Sequence, residues 1–574
     1  MNRSLKINVK YVGAALSAVF AVAAFLYFAI PYGAHICYQE QYQLFEWNWK
    51  YFSDTVFVPG GFADWCGRFL TQFFFNKWVG AAILALCLTA VQLLCFLASK
   101  RRTVLSCVCS FVPAAFLLLY FLESTALLGA VVAVMLALAC ALIVRRMNVS
   151  VARTALIFVL VPLLYLLCGP AALIFALALP EGESVASRLA AVLLLVAMPF
   201  ALMPVCHYPL KSLLTGIHYN RITQFVPVFL WHAIGAAFLY VLVAGFRFKE
   251  MKPKTDAGLA VVLLLVLAVG GVSLVRDKQD MEYEELMEYD RMAYLQDWDG
   301  IIKKASDKLP DKPLSVSVLN LALAKKDLLG DWQFAYFQSG EAGLFPSYAI
   351  SFFALLPTSE IYWQLGMVSA CQQYVFEAQE AIPDFQKSAR CYKRLCEAYI
   401  VNRDYDVARK YLRALCHTLH YRKWALDKLE MLEDESAVEA AYGEIRSLRV
   451  TDPYALFNEN NKASMLRQLI VHNPDNSLAR QYLYSLMILE QDLESFEKEM
   501  LSLGPAVPLP KYWQEALIMQ WVITGRDFSS LPENVSEENV KRMRELISAM
   551  RGGRNNAYLK RVFGNTYWFY CSNN

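Results

Sequence analysis

Charge is scarce in this chain. Only 18% of its 574 residues are Asp, Glu, Lys or Arg, against 57% hydrophobic, where an ordinary soluble domain carries about 25% charged residues. Together with a mean hydropathy of +0.34, this excludes a wholly water-soluble protein, and the length is about twice that of one domain. Histidine is rarer still, at seven. There is no HExxH, no GxSxG, no GxxxxGK[ST] and no dinucleotide-binding fingerprint, which removes the zinc-peptidase, hydrolase, phosphate-loop and Rossmann classes. Cysteine is plentiful at 14, but no C-x-x-C pair occurs, and nine of the cysteines lie in the apolar first half, where a thiol behaves as a small hydrophobe. Disulfide frameworks and ordinary structural zinc sites are thereby excluded, and no metal or cofactor is expected. Cys371, Cys391, Cys396 and Cys416, with His417 and His420 nearby, read as buried thiols. Cys37 and Cys66 flank one loop and could pair in an oxidising compartment.

The charge present is divided along the chain. Residues 1–276 hold 20 Lys and Arg against 9 Asp and Glu, and residues 277–574 hold 34 against 42. A basic half is followed by an acidic one, and an acidic surface is unsuited to nucleic acid. The dividing element is Asp256 to Arg276, DAGLAVVLLLVLAVGGVSLVR, long enough to cross the ~30 Å hydrocarbon core as a helix. On its far side the stretch RDKQDMEYEELMEYDRMAYLQDW is too charged for lipid.

Other apolar runs precede it: Tyr11 to Ile30, Val79 to Ala98, Val104 to Leu122, Thr125 to Val144, Ala155 to Leu179, Leu189 to Val205 and Phe225 to Phe246. The Ala155 stretch is broken at Cys168-Gly169-Pro170, so it crosses once or twice and the total is eight or nine. Basic residues at Lys100-Arg101-Arg102, Arg145-Arg146 and Arg247 to Lys254 favour nine, because all three clusters then face the cytoplasm. That count places the first loop, residues 31–78, and the second half together in the periplasm of an inner-membrane protein. The expected domains are 1–276, in the membrane, and 277–574, outside it.

The second half has helical spacing with short breaks. In CYKRLCEAYIVNRDYDVARKYLRALCH, Tyr392, Leu395, Cys396 and Tyr399 share one helix face, and Tyr405, Ala408 and Leu412 share a face of the next. A similar unit is NPDNSLARQYLYSLMILEQDLESFEKEM. The expected fold class is all-α: a polytopic transmembrane helix bundle followed by an α-helical, tetratricopeptide-like (TPR-like) solenoid, whose concave face suits a protein or peptide partner.

Four segments carry a resemblance: PGGFADWCGRFLTQFF, NLALAKKDLLGDWQFAYFQSGEAGLF, RLCEAYIVNRDYDVARKYLRALCHTLHYRKWA and NPDNSLARQYLYSLMILEQDLESF. On these the chain resembles, over nearly its full length, an uncharacterised family of multi-pass membrane proteins of Bacteroidota-type bacteria. The resemblance implies an inner-membrane address and an all-helical fold. It implies no activity, which leaves a membrane-tethered scaffold of the cell envelope as the first functional expectation.

The layout is also similar to that of multi-pass glycosyltransferases that use polyprenyl-phosphate sugars: an acid in a long loop after the first span, many spans, then helical repeats. By that similarity Asp54 or Asp64 is the catalytic carboxylate, Arg68 meets the donor phosphate, and Trp47, Trp49 and Trp65 stack on sugar or lipid. The paired acidic signature common in such enzymes is missing, since Asp54 and Asp64 each stand alone. His207, His218 and His232 lie near the spans, where a histidine is ordinarily satisfied by a neighbour.

Overall fold

In a computed structural model of the chain, residues 9–100, 102–146, 150–177, 185–219, 227–244, 251–349, 351–382, 386–450 and 461–573 are described. The described residues are helical and contain no strand, so the protein is all-α. The chain forms two compact units. The first comprises residues 1–284 with 382–390 and 413–425, and the second comprises residues 285–381, 391–412 and 426–574. Two short pieces of the second half therefore fold with the apolar half.

Among the described residues of its continuous part, the first unit holds fourteen α-helices: α1 (Val9–Ala29), α2 (Gly33–Gln41), α3 (Trp49–Val56), α4 (Gly61–Thr71), α5 (Lys77–Ala98), α6 (Val104–Cys109), α7 (Phe111–Tyr120), α8 (Leu128–Arg145), α9 (Ser150–Cys168), α10 (Ala172–Leu177), α11 (Val185–Cys206), α12 (Leu210–Thr215), α13 (Val228–Ala244) and α14 (Pro253–Lys278). Among the described residues, six stretches are long and apolar enough to cross a membrane: α1, α5, α8, Thr154–Leu177, Ala186–Cys206 and α14. The α6–α7 stretch and α13 are apolar but shorter. Close packing comes from small residues, as expected where lipid removes the hydrophobic drive between helices. Along α8, Ala130, Ala133, Ala137 and Ala141 follow helical spacing and are all buried. Polar groups inside the bundle are paired: Ser17 of α1 donates to Gln92 of α5 (2.7 Å), and Gln92 donates to Ser110 before α7 (2.8 Å).

Long-range bonds define the two ends of this bundle. At one end the Asp256 carboxylate accepts the Val104 and Leu105 N–H groups (3.1 and 3.3 Å), Tyr240 donates to the Ser106 carbonyl (2.9 Å), and Arg145 donates to the Ala98 carbonyl. At the other, Tyr32 donates to the Leu122 carbonyl (2.9 Å) and Tyr27 to Gln279 (3.1 Å). There Glu284 accepts the N–H groups of Ala34 and His35 at the start of α2 (2.6 and 3.0 Å). The first loop and the chain leaving α14 thus meet at one end.

The interruption at Gly169 belongs to that end too. Gly60 N–H bonds to the Leu166 carbonyl (2.8 Å), and a Cβ on Gly60 would sit 3.5 Å from Gly169 N. Gly169 has φ +59 and redirects the chain. The Tyr219 hydroxyl bridges the break, donating to the Cys168 carbonyl and accepting from Ala171 N–H (3.3 Å). Beyond it α10 is buried, with Ala172, Ile174, Phe175 and Ala176 inside the core. By length alone Thr154–Leu177 is one 24-residue candidate span. The end of α11 is close to the break, since Tyr165 of α9 donates to the Leu213 carbonyl of α12 (2.7 Å) and Tyr208, just after α11, lines the same cavity as Arg68 of the first loop. The 22-residue α11 therefore ends where Gly169 lies, and α10 begins the return between them.

The second unit is a series of helix hairpins with one recurring turn. At Gln296, Asp327, Gly366, Arg403, Gln491, Gly525 and Gly553 the backbone is left-handed. Each time, that residue's N–H and the next bond back to the last helical turn; Arg403 N–H reaches the Ile400 carbonyl (3.1 Å) and Asp404 N–H the Tyr399 carbonyl (2.9 Å). This is the Schellman C-cap, which satisfies carbonyls that the helix end leaves open. Asp297 and Asp492 then cap the following helices. Buried charge is paired here as well: Arg394 meets Glu360 (2.5 Å) and Glu397 (2.9 Å) and lies over the Trp363 ring.

Candidate functional site

The site is assembled at the first-loop end from α3 and α4. Asn48 starts α3 by accepting Tyr51 N–H with its side chain (2.7 Å). The turn Pro59-Gly60-Gly61 opens α4, with Gly60 at φ +82 and no room at Gly61, whose Cβ would stand 1.9 Å from the Thr55 carbonyl oxygen. Asp64 then falls in the first turn of α4, where the helix dipole favours a carboxylate, and Arg68 follows one turn on. Both face inward because α4 lies against α8 with glycine on glycine. A Cβ on Gly67 would be 2.3 Å from Gly129 N.

Asp64 is 2% exposed and Arg68 8%. Arg68 Nη2 lies 2.7 Å from Asp64 Oδ2, and its Nη1 donates to Gln386 Oε1 (2.7 Å) and Tyr51 Oη (3.4 Å). Burial works against the guanidinium charge, but the Asp64 carboxylate and then Tyr51 outweigh it, so Arg68 holds its proton more tightly than usual. His218 Nδ1 stands 3.4 Å from the same Asp64 Oδ2, and its buried Nε2 has no hydrogen-bond partner among the described residues. Burial lowers the His218 pKa, Asp64 opposes that, and Arg68 adds to it; the net direction is down, so the ring is neutral at pH 7. Burial likewise pushes the Tyr51 hydroxyl up.

Above this trio is a cavity of about 310 Å³ walled by Leu44, Glu46, Tyr51, Asp54, Thr55, Val58, Arg68, Tyr208, His218, Gln386 and Lys387. Its far wall is one of the two returning pieces, held by Leu44 N–H to the Lys387 carbonyl (2.8 Å). The other returning piece covers the outside of the loop, where Trp47 N–H reaches the His417 carbonyl (2.7 Å) and His420 stacks on Phe75 at 4.5 Å.

Asp54 is exposed on the cavity wall, whereas Asp64 is buried and is not a wall residue, although Arg68 and His218 beside it are. The two acids are therefore not equivalent. The tryptophans do not line the cavity. Trp65 stacks on Phe69 (6.0 Å), Trp47 stands edge-on to Phe45 (5.4 Å) and donates to Gln72 (3.3 Å), and Trp49, 74% exposed, leans on Phe52. Cys37 and Cys66, which could pair in an oxidising compartment, form no disulfide in this structure, and the buried Cys37 thiol donates to the Phe75 carbonyl (3.8 Å). His232 bonds the Val228 carbonyl of its own helix (2.7 Å), and His207 takes a left-handed conformation at the end of α11. No group of three metal-ligating side chains occurs among the described residues, His417 and His420 included.

Sequence reading missed Tyr51, Tyr208, Gln386 and Lys387 and treated His218 as an ordinary satisfied histidine. One local signal was available: the i, i+4 spacing of Asp64 and Arg68 pairs them on one helix face.

An all-helical protein with candidate membrane spans and a buried Asp–Arg–His cluster under a polar cavity is the class these features define. The chain belongs to the family of unknown function DUF6057, whose family model matches residues 7–573. No match occurs among curated proteins or solved structures.

Proposed function

We propose that this is an inner-membrane glycosyltransferase that moves a sugar from a polyprenyl-phosphate donor to a hydroxyl acceptor in the cavity below α3. The observation that carries the reading is the cavity itself, whose wall holds Asp54, Arg68 and Lys387 together, with Lys387 an exposed cation for the donor phosphate. Asp54 binds the acceptor by accepting its hydroxyl hydrogen bonds, and Asp64 acts from beneath through Arg68 and His218. Trp49, exposed beside the site, is the ring left to stack on sugar or lipid; Trp47 and Trp65 hold the loop together.

The topology that goes with this reading has nine crossings. Its support is that the first loop and the chain after α14 share one end of the bundle, while Lys100, Arg145 and Lys252 lie toward the other. With basic clusters in the cytoplasm, the cavity and the second half are periplasmic, and a reporter fused after Asn574 reads as periplasmic.

Transfer is tested with membranes carrying the full chain, a radiolabelled polyprenyl-phosphate sugar and a panel of glycan acceptors. Asp54→Ala loses product while remaining inserted; undiminished transfer overturns the reading. The recurring hairpin turns favour a second reading, a membrane-tethered scaffold holding a protein or peptide partner. In that case truncation after Arg276 abolishes function and Asp54→Ala does not.

A further inference from the structure

We propose that His218, oriented by Asp64, is the proton acceptor for a hydroxyl group bound in this cavity, an assignment that rests on the transfer reading above. Three features of position converge. Nδ1 is the ring nitrogen nearer the buried Asp64 carboxylate, 3.4 Å from Oδ2, and a proton on Nδ1 is the one that charge attracts. Nε2, the other nitrogen, is then the lone-pair atom; it is buried, has no protein partner among the described residues, and belongs to a residue of the cavity wall. Asp64 in turn is held by Arg68, whose Nη1 is fixed by Gln386, so the carboxylate cannot swing away. A nucleophile's base backed by a third, orienting group is the arrangement that general-base catalysis needs. The lowered His218 pKa keeps the ring in its proton-accepting form at neutral pH.

The step balances with the groups named. Nε2 takes the acceptor's hydroxyl proton, the oxygen forms its bond to the anomeric carbon, and the carbon–oxygen bond to phosphate breaks. The electron pair leaves on the polyprenyl phosphate. The imidazolium so formed lies against Asp64 until it returns its proton to water. His218 is the catalytic residue and Asp64 a positioning residue. Asp54 binds but does not take the proton.

The dyad is tested independently of transfer. Full-length protein in nanodiscs is treated with diethylpyrocarbonate at neutral pH, and the seven histidines are followed by mass spectrometry. His218, with its Nε2 buried, is expected to react measurably but more slowly than exposed His232, and Asp64→Asn to slow it several-fold further while His232 keeps its rate and reports an intact fold. Asp64→Glu, which keeps the charge, restores part of the rate. An inert His218, or a rate indifferent to Asp64→Asn, overturns the dyad. In the transfer assay His218→Gln is expected to lower turnover by at least ~100-fold, the usual worth of a general base, with acceptor KM little changed. Transfer that survives His218→Gln overturns the base assignment, whereas absence of transfer by the unaltered protein overturns the glycosyltransferase reading itself.

Discussion

Removing Arg68 while leaving Asp64 isolates the energetic role of the buried pair. In Arg68→Met the aliphatic bulk is roughly kept, but Asp64, 2% exposed, loses the cation 2.7 Å away. Breaking one side of a buried pair costs about 3–5 kcal/mol, because the remaining charge is left without compensation. Two smaller losses add little: the bond to Tyr51 is long at 3.4 Å, and half-buried Gln386 can exchange its bond for water. Taking roughly 2 °C per kcal/mol for a unit of this size, apparent Tm falls by about 6–10 °C. The double variant Asp64→Leu with Arg68→Met removes both charges and is expected within about 2 kcal/mol of the parent, since apolar replacement of a whole buried pair is often neutral. Scanning fluorimetry in nanodiscs reads both. A single variant within a degree of the parent, or a double variant worse than the single, refutes the account.

Two other outcomes concern separate parts of the fold. Gly67→Ala puts a Cβ 2.3 Å from Gly129 N and 2.4 Å from its Cα, so α4 must leave α8; the variant should be largely lost from detergent-soluble, monodisperse protein, and normal yield contradicts the packing described. In the second unit, burial raises the Glu515 pKa from 4.5 to about 7, against the Tyr567 N–H bond and the charges of Lys511 and Arg542. A carboxyl with a raised folded-state pKa favours the fold fully below its unfolded pKa, and that contribution is lost as pH rises through about 7. Between pH 4.5 and 7 the loss approaches about 3 kcal/mol at 1.36 kcal/mol per pH unit. Glu515→Gln should flatten this dependence, read by the fluorescence of neighbouring Trp513 and Trp568 during chemical unfolding; an unchanged pH dependence counts against it.

Much of the architecture is local and so was legible. A span is announced by roughly 17 to 25 predominantly apolar residues in a row, as in Leu259 to Val275, whatever the rest of the chain does. The recurring hairpin turn is legible too, since a polar residue able to take the left-handed conformation stands immediately before an Asp in LQDW, NRDY and EQDL. Asp54, Asp64 and Arg68 stood out in the sequence because they are among the few charges in an aromatic loop; Asp54 is exposed, and Asp64 and Arg68 are buried.

The residues could not announce who their partners are. Asp64 meets His218 and Arg68 meets Gln386 only because α9 ends at the Gly169 turn, α11 ends at Cys206 and a piece of the second half returns to Leu44. Hydropathy reports whether a segment prefers lipid, an additive property of about twenty side chains, and it fixed the division into an apolar and a polar half. The pairing of buried charges depends on which loops are brought to the same end of the bundle, and that is decided by helix order, glycine contacts and direction of travel. The cavity, the returning piece of chain and the buried, unbonded Nε2 of His218 therefore belong to the tertiary structure alone.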